Sequence, residues 1–298
     1  MNFKLLIVFN IILSCGAFAQ LKVVTTTTDL AWLAQEIGGD KVKVESLLAG
    51  TEDPHFIDAT PHFVAKALRA DLFCMVGLEL EAAWVGKVLA KSGNRQVQKG
   101  GAGYFSGGEY ISPLGVPQKK LDRSHGDVHS SGNPHYHLSP SAMMKVAQGL
   151  TQKMMDLDPK NKAHYQNNLK KTKNNLKNIR QEITLMLTPI HKKVFLEYHQ
   201  EFSYFFRDYG LESIGAIEEI PGVPPSAGRI SAIAKKAQSK SAYAFLVANT
   251  SPYKVTKKFQ DISGVKKVSL PLSIVKGKGP SDYYEHQRLI ARRMIEKK

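Results

Sequence analysis

Residues 160–187 constrain the architecture more than any other stretch. Leu169, Leu176, Ile179, Ile183 and Leu187 recur there at spacings of 7, 3, 4 and 4, the period of one apolar helix face. A helix of that length extends about 42 Å at 1.5 Å per residue, longer than one small domain is wide. On both sides of it, strand patterns alternate with helical ones. Strands are expected at 21–28, 42–48 and 72–76, with helices at 30–37, 61–70, 84–92 and 139–155. Beyond the long helix, strands are expected at 193–198, 212–217, 244–248 and 266–270, with helices at 200–209, 229–238, 255–262 and 283–297. Such alternation builds βαβ units and parallel sheets. The expected fold is therefore α/β: two α/β lobes with parallel sheets, joined by one long backbone helix. Asp29 and Ser226 are the expected N-caps of the helices that follow them. Residues 100–134, rich in Gly and Ser with three prolines between 113 and 134, read as a long surface loop.

Residues 1–19 read as an export signal: Lys4, an apolar run over 5–13 broken only by Asn10, and the small-x-small site Ala17-Phe18-Ala19 before Gln20. That run is far short of the ~20 residues a membrane span needs. The Ile12-Leu13-Ser14-Cys15 stretch offers a second route, lipid anchoring at Cys15, but the Ala-Phe-Ala site is the better formed. The expected division is a signal peptide over 1–19, a first lobe over 20–158, the connecting helix over 159–188 and a second lobe over 189–298, in a periplasmic protein. After cleavage Cys74 is the single cysteine left, so no intramolecular disulfide can form. Loss of Lys4 leaves 40 Lys and Arg against 26 Asp and Glu, a net charge of +14. The Lys-rich stretch 160–177 is a solvated helix face. Without aromatic interleaving or a nucleic-acid motif, no nucleic acid is expected as a partner.

The chemistry lies in the histidines. There are ten, four of them between His125 and His137. His55, His135 and His199 are placed just past expected strand ends, where open α/β sheets bind ligands. Two of them share a context, Asp53-Pro54-His55 and Asn133-Pro134-His135, in which the proline stiffens the backbone before the imidazole. Neutral imidazole suits Zn²⁺ and, less strongly, Mn²⁺.

These residues belong to a wider set of motifs. Asp53-Pro54-His55 is followed by Ala59-Thr60-Pro61, Ala70-Asp71-Leu72 and Gly77-Leu78-Glu79-Leu80-Glu81. Then come Gly132-Asn133-Pro134-His135-Tyr136-His137-Leu138-Ser139-Pro140, Tyr198-His199, Tyr209-Gly210-Leu211, and Glu218 before Pro221-Gly222-Val223-Pro224-Pro225-Ser226. With this set the mature chain resembles the solute-binding proteins of zinc and manganese ABC importers, the ZnuA/TroA-like cluster A-I family. The resemblance implies a divalent metal held in the cleft between the lobes, with His55, His135 and His199 as its protein ligands. It also implies delivery of the ion to an inner-membrane ABC permease, with no chemistry done on it; a monomer is expected.

The sequence departs from the family at two points. Many relatives carry an aspartate ligand in the last quarter of the chain, where Leu270-Pro271-Leu272-Ser273 offers no carboxylate. The fourth donor is then Glu218, Asp282 or a water, with Glu218 favoured. At His137, relatives often carry Trp; were 135–137 extended, His137 would share a face with His135 and become a rival ligand. His125 and His129 read equally well as an ordinary polar loop and as a metal-gathering one. His62, His164, His191 and His286 are not expected to be ligands. Three imidazoles with a carboxylate or water favour zinc, with manganese as the alternative. Two other functions fit the same histidines, an exported zinc-dependent hydrolase and a metal-dependent adhesin or envelope-binding protein. The hydrolase reading lacks an HExxH-like pairing, and no GxSxG, P-loop or GxGxxG motif occurs.

Overall fold

The structure, a computed structural model, describes residues 20–117, 129–218, 222–277, 280 and 282–296. The expected export segment 1–19, with Cys15, and the loop residue His125 lie outside the described residues. The first lobe carries β1 (Leu21–Thr25), α1 (Thr28–Gly38), β2 (Val42–Ser46), α2 (Pro61–Leu68), β3 (Leu72–Met75), α3 (Val85–Ser92) and β4 (Tyr104–Ser106). Its four strands are parallel in the order β2-β1-β3-β4. Then follow α4 (Pro140–Leu157) and the long helix α5 (Lys162–Met186). The second lobe carries β5 (Val194–Glu197), α6 (Ser203–Tyr209), β6 (Glu212–Ala216), α7 (Ala227–Ser239), β7 (Ala244–Ala248), α8 (Tyr253–Ser263), β8 (Lys267–Leu270) and α9 (Tyr283–Ile295). Its strands are parallel too, in the order β6-β5-β7-β8. The two sheets thus have the same topology, each with a switch point beside its first strand, where the ends of neighbouring strands leave a crevice. β3 and β7 are buried at every position, as strands covered by helices on both faces must be.

The apolar stripe of α5 runs from one core into the other: Leu176 packs in the first, and Ile179, Ile183 and Leu187 pack in the second. α9 does the same, with Tyr283 in the first core and Ile290, Ala291 and Met294 in the second. Arg288 of α9 grips both carboxylate oxygens of Glu182 on α5, at 2.7 and 2.8 Å. Two helices, not one, therefore fasten the lobes together.

Three local expectations are corrected. The stretch 100–134 is not all loop. Tyr104–Ser106 forms β4 beside β3. Three residues are too few for a period, and Gly103 lies against the backbone, where a Cβ would meet Asp71 O at 2.2 Å. Asp29 does not cap α1. Thr27 is the N-cap, and Asp29 Oδ1 instead accepts from the Ile274 backbone N–H at 3.3 Å, tying α1 to the segment after β8. His135 does not follow a strand; it opens a single 3-10 turn, His135–Leu138, that leads into α4. Ser226 caps α7 as expected, accepting from Arg229 N at 3.1 Å.

Candidate metal centre

Two of the three histidines are presented by the same local device. Behind β2, Asp53 Oδ1 accepts from the His55 backbone N–H at 3.0 Å and lies 2.7 Å from His55 Nδ1. Before α4, Asn133 Oδ1 accepts from the His135 backbone N–H at 2.9 Å and lies 3.1 Å from His135 Nδ1. A short oxygen-bearing side chain two residues upstream closes a turn on the backbone and orients the ring in the same stroke. The intervening proline fixes φ between them. Both turns are anchored from outside: Trp84 Nε1 donates to Pro54 O at 2.9 Å, and Asn133 Nδ2 donates to the carbonyl of Gln200 in the second lobe. Ser139, just beyond, accepts from Ala142 N at 3.0 Å as the cap of α4 and donates to Asp208 Oδ2 on α6 at 2.6 Å.

His199 is presented differently. It follows β5, and its Nδ1 faces Glu218 Oε2 at 3.1 Å across the end of the neighbouring strand β6. The other oxygen of Glu218 accepts from Gly222 N at 3.2 Å. In each of the three rings Nδ1 is thus turned to an oxygen and Nε2 is left for a ligand. An oxygen partner behind an imidazole fixes its tautomer and raises its basicity as a donor.

The three rings converge. Their centroids are 5.4 Å apart (His55 to His135), 5.4 Å (His135 to His199) and 5.8 Å (His55 to His199). One donor atom from each lies within 4.8 Å of the others. His55 and His135 are only 5% and 2% exposed and help line a cavity of about 330 Å³ between the lobes. Burial, and then the neighbouring His199 and His55, hold His135 well below the ordinary imidazole range, in the neutral form that can donate a lone pair. Burial raises the Asp53 carboxyl, but the hydrogen bonds from His55 outweigh it and keep the group below its usual range, ionised.

The other candidates are placed as follows. Glu218 stands behind His199 and outside the set of mutually close donors. Asp282 caps α9, accepting from Glu285 N at 2.8 Å. His137 is not extended beside His135. In the 3-10 turn its Nε2 is spent on Leu272 O at 2.9 Å. Leu272 and Ser273 line the cavity without offering a carboxylate. His286 is fully buried and bonded to Pro271 O, and His164 to Gly38 O. His129 is the surprise: its Nε2 lies 3.0 Å from His55 Nε2. Burial, then the nearby His55 and His199, push its pKa down to about 3. Asp53 and Asn133 escaped sequence reasoning as orienting groups, although the shared Asp/Asn-Pro-His spacing was in view.

Among the described residues no helix is long and apolar enough to cross a membrane. The profile of the family "ZnuA: Zinc-uptake complex component A periplasmic" matches residues 23–297. The chain is 27% identical over 273 residues to the manganese ABC transporter substrate-binding lipoprotein PsaA of Streptococcus pneumoniae, covering 89% of this chain and 84% of that one. It is 26% identical over 229 residues to the high-affinity zinc uptake system protein ZnuA of Yersinia pestis, covering 71% and 70%. A crystal structure of ZnuA shares the fold at a TM-score of 0.77 and 23% identity, over 93% of this chain and 98% of that one. A Mn-bound periplasmic metal binding protein from Candidatus Liberibacter asiaticus does so at 0.77 and 20%, over 92% and 98%.

Proposed function

Because the chain belongs to the family of periplasmic zinc-uptake complex component A proteins, we propose that it captures one divalent transition-metal ion between its lobes, zinc in the first place, and hands it to the permease of an ABC importer. The ligands in this reading are His55, His135 and His199, each through Nε2, with Glu218, Asp53 and Asn133 as the groups that orient them. The observation that carries the reading is the convergence of three imidazoles whose donor atoms lie within 4.8 Å of one another, two from the first lobe and one from the second. Nitrogen donors without a carboxylate in the set favour zinc over manganese, which prefers oxygen. Since the ligands come from both lobes, separating the lobes by a small angle removes His199 from the ion and lowers affinity at the permease. The chain works outside the cytoplasm after export by residues 1–19, as a monomer divided at 20–158, 159–188 and 189–298. A hydrolytic role is not favoured: both oxygens of Glu218, the carboxylate that faces His199, are already engaged by His199 and Gly222.

Native mass spectrometry with metal analysis of the mature protein tests the reading. One zinc ion per chain is expected. In His199→Ala affinity falls by about two to three orders of magnitude, since structural zinc sites of ~10–16 kcal/mol share that energy among about four ligands. Zinc held by His199→Ala as tightly as by the wild type overturns the assignment. Normal growth of a deletion strain under zinc starvation would instead favour an adhesive role.

A further inference from the structure

Three imidazoles leave a tetrahedral cation one ligand short, and His129 is the next nearest imidazole, touching His55 while standing outside the set of three mutually close donors. His55 Nδ1 is 2.7 Å from Asp53 Oδ1. Asp53 thus occupies the Nδ1 side of the ring, and Nε2 is the nitrogen on the cavity side of that contact. His129 Nε2 lies 3.0 Å from His55 Nε2, with ring centroids 5.0 Å apart, and its ring is 6.4 Å from that of His135. Two imidazole nitrogens bound at ~2.0–2.1 Å to one tetrahedral zinc ion are about 3.3 Å apart. The His55–His129 pair already sits within a few tenths of an ångström of ligand spacing.

The placement of His129 is built, not incidental. Glu79 adopts the left-handed region at φ 68°, rare for a residue with a side chain. From there its Oε1 accepts from Ser130 Oγ at 2.7 Å and its Oε2 from Ser131 N at 3.4 Å. Gly132, at φ 102°, donates its N–H to His129 O at 3.0 Å. These bonds hold the backbone directly after His129 against the β3–α3 turn. Meanwhile the His129 Nδ1 is buried without a partner, although the residue as a whole is only partly buried. Glu218 and Asp282, the carboxylates weighed for the fourth position, are both committed elsewhere.

We propose that His129 is the fourth ligand, giving the cation four neutral nitrogen donors and no carboxylate, and that it is the residue setting the preference for zinc over manganese. This rests on the reading that His55, His135 and His199 bind the ion. On loading, the cation takes the place of the contact between the two Nε2 atoms, and His129 binds it through Nε2 as a neutral ring. Without His129, a water oxygen fills the position. That change weakens zinc binding and leaves manganese, which favours oxygen donors, nearly unaffected.

The test uses the mature full chain and compares wild type, His129→Ala, His129→Asp and His199→Ala. Zinc and manganese affinities come from competition titration, and the coordination sphere from the visible spectrum of the cobalt(II) form. In His129→Ala, zinc affinity falls on the order of 100-fold. Its manganese affinity stays within about 3-fold, and the cobalt band loses intensity and shifts as oxygen replaces nitrogen. In His129→Asp the preference moves further toward manganese. If His129→Ala keeps the wild-type zinc affinity, metal preference and cobalt spectrum while His199→Ala weakens zinc binding, the fourth-ligand assignment is overturned and the three-histidine site stands. If His199→Ala also binds zinc normally, the underlying site reading fails, and this inference with it.

Discussion

The two lobes fold the same way and present their histidines in opposite ways. Both are four-stranded parallel sheets with one strand order. In the first lobe each imidazole is aimed by a side chain two residues upstream, Asp53 for His55 and Asn133 for His135. In the second, His199 is aimed by Glu218, which comes from beyond the next strand. A local turn forms with little loop closure, whereas a long-range pair exists only once β5 and β6 are in register. In the proposed site the first lobe is therefore the preorganised half. The second adds one imidazole whose aim depends on the sheet. A carrier that must both hold and release an ion benefits from this asymmetry, because losing His199 is the smallest step from a closed site to an open one.

Removing His199, the proposed second-lobe ligand, gives the largest predicted effect and separates the lobes energetically. In His199→Ala, zinc should still protect the first-lobe segments around 53–55 and 129–138 from hydrogen exchange at high zinc. It should no longer protect 194–218. In wild type both regions gain protection. Protection of the second lobe in His199→Ala would mean that the lobes are coupled through α5 and α9 alone and that the ion does not bridge them.

A second contrast lies in two buried glutamates, Glu81 in the turn after β3 and Glu197 at the end of β5. Glu81 accepts from Thr26 Oγ1 and Val76 N through one oxygen and from Gly77 N through the other. Glu197 accepts from Phe202 N through one oxygen and Ser213 Oγ through the other. Burial raises both, Glu197 to about 7. In the unfolded chain a glutamate titrates near 4.5, so between about 4.5 and 7 the folded state holds a proton that the unfolded state has released. Stability contributed by the raised pKa is full below 4.5 and is lost as pH rises through 7, up to about 3 kcal/mol in all. Glu201, also buried, has its pKa raised well above the usual range and acts in the same direction. Glu197→Gln should therefore stabilise the metal-free protein at pH 8 while changing it little at pH 5, because Ser213 can reverse its hydroxyl to accept from the new amide. Glu81→Gln should destabilise by about 2–3 kcal/mol at either pH, because its amide must face a backbone N–H whichever way it turns. Thermal melts of the two variants at both pH values read this out, and equal behaviour would erase the contrast.

Smaller still is the effect of loosening the second-lobe ring. Glu218→Gln keeps a side chain of the same shape behind His199 but lowers the charge that makes the imidazole a better donor. Zinc affinity should drop on the order of 10-fold, measured by competition titration, with no change in the melting temperature of the metal-free protein. A loss of fold instead of affinity would make Glu218 structural.

How much of this was legible in the sequence follows from the same local-versus-distant distinction. The strands, the long connector and the Pro-His contexts of His55 and His135 repeat at short range and could be read, whereas the grouping of His199 with them came from the resemblance to the family. The aiming of His55 by Asp53 is also a short-range pattern, visible in the two Asp/Asn-Pro-His triplets once its geometry is known. By contrast β4 is too short to show a period, and His129 lies 74 residues from the His55 ring it touches. The pairing of His199 with Glu218 and the grip of Asn133 on Gln200 exist only in the folded chain. The alternative for His137 failed for a related reason: whether 135–137 were extended or helical decided its direction, and Pro134 with a capped α4 made it a turn.

The finest test of the lobe comparison is to make the two first-lobe triplets alike. Asp53 and Asn133 hold their histidines with the same geometry but differ in charge, and Asn133 also uses its amide to hold Gln200 in the other lobe. Asp53→Asn keeps the acceptor oxygen at His55 and removes a carboxylate that is ionised in the folded protein. Imidazole basicity then falls at one proposed ligand, and because the acceptor oxygen is kept, zinc affinity should fall only about 3–10-fold, below the 10–100-fold typical of losing an outer partner. Asn133→Asp does the reverse at His135: the oxygen remains, the ring gains a charged partner, but the donor to Gln200 is replaced by an acceptor facing a carbonyl. If preorganisation within the first lobe is what matters, Asn133→Asp should tighten or leave unchanged the binding of zinc. If the tie between lobes matters, it should weaken binding more than Asp53→Asn does. We expect the second outcome, because a carboxylate set against the Gln200 carbonyl pushes the His199 loop away from the other two imidazoles. Competition titrations of the two variants side by side give the ranking directly, and tighter zinc binding by Asn133→Asp would confine the role of Asn133 to its own lobe.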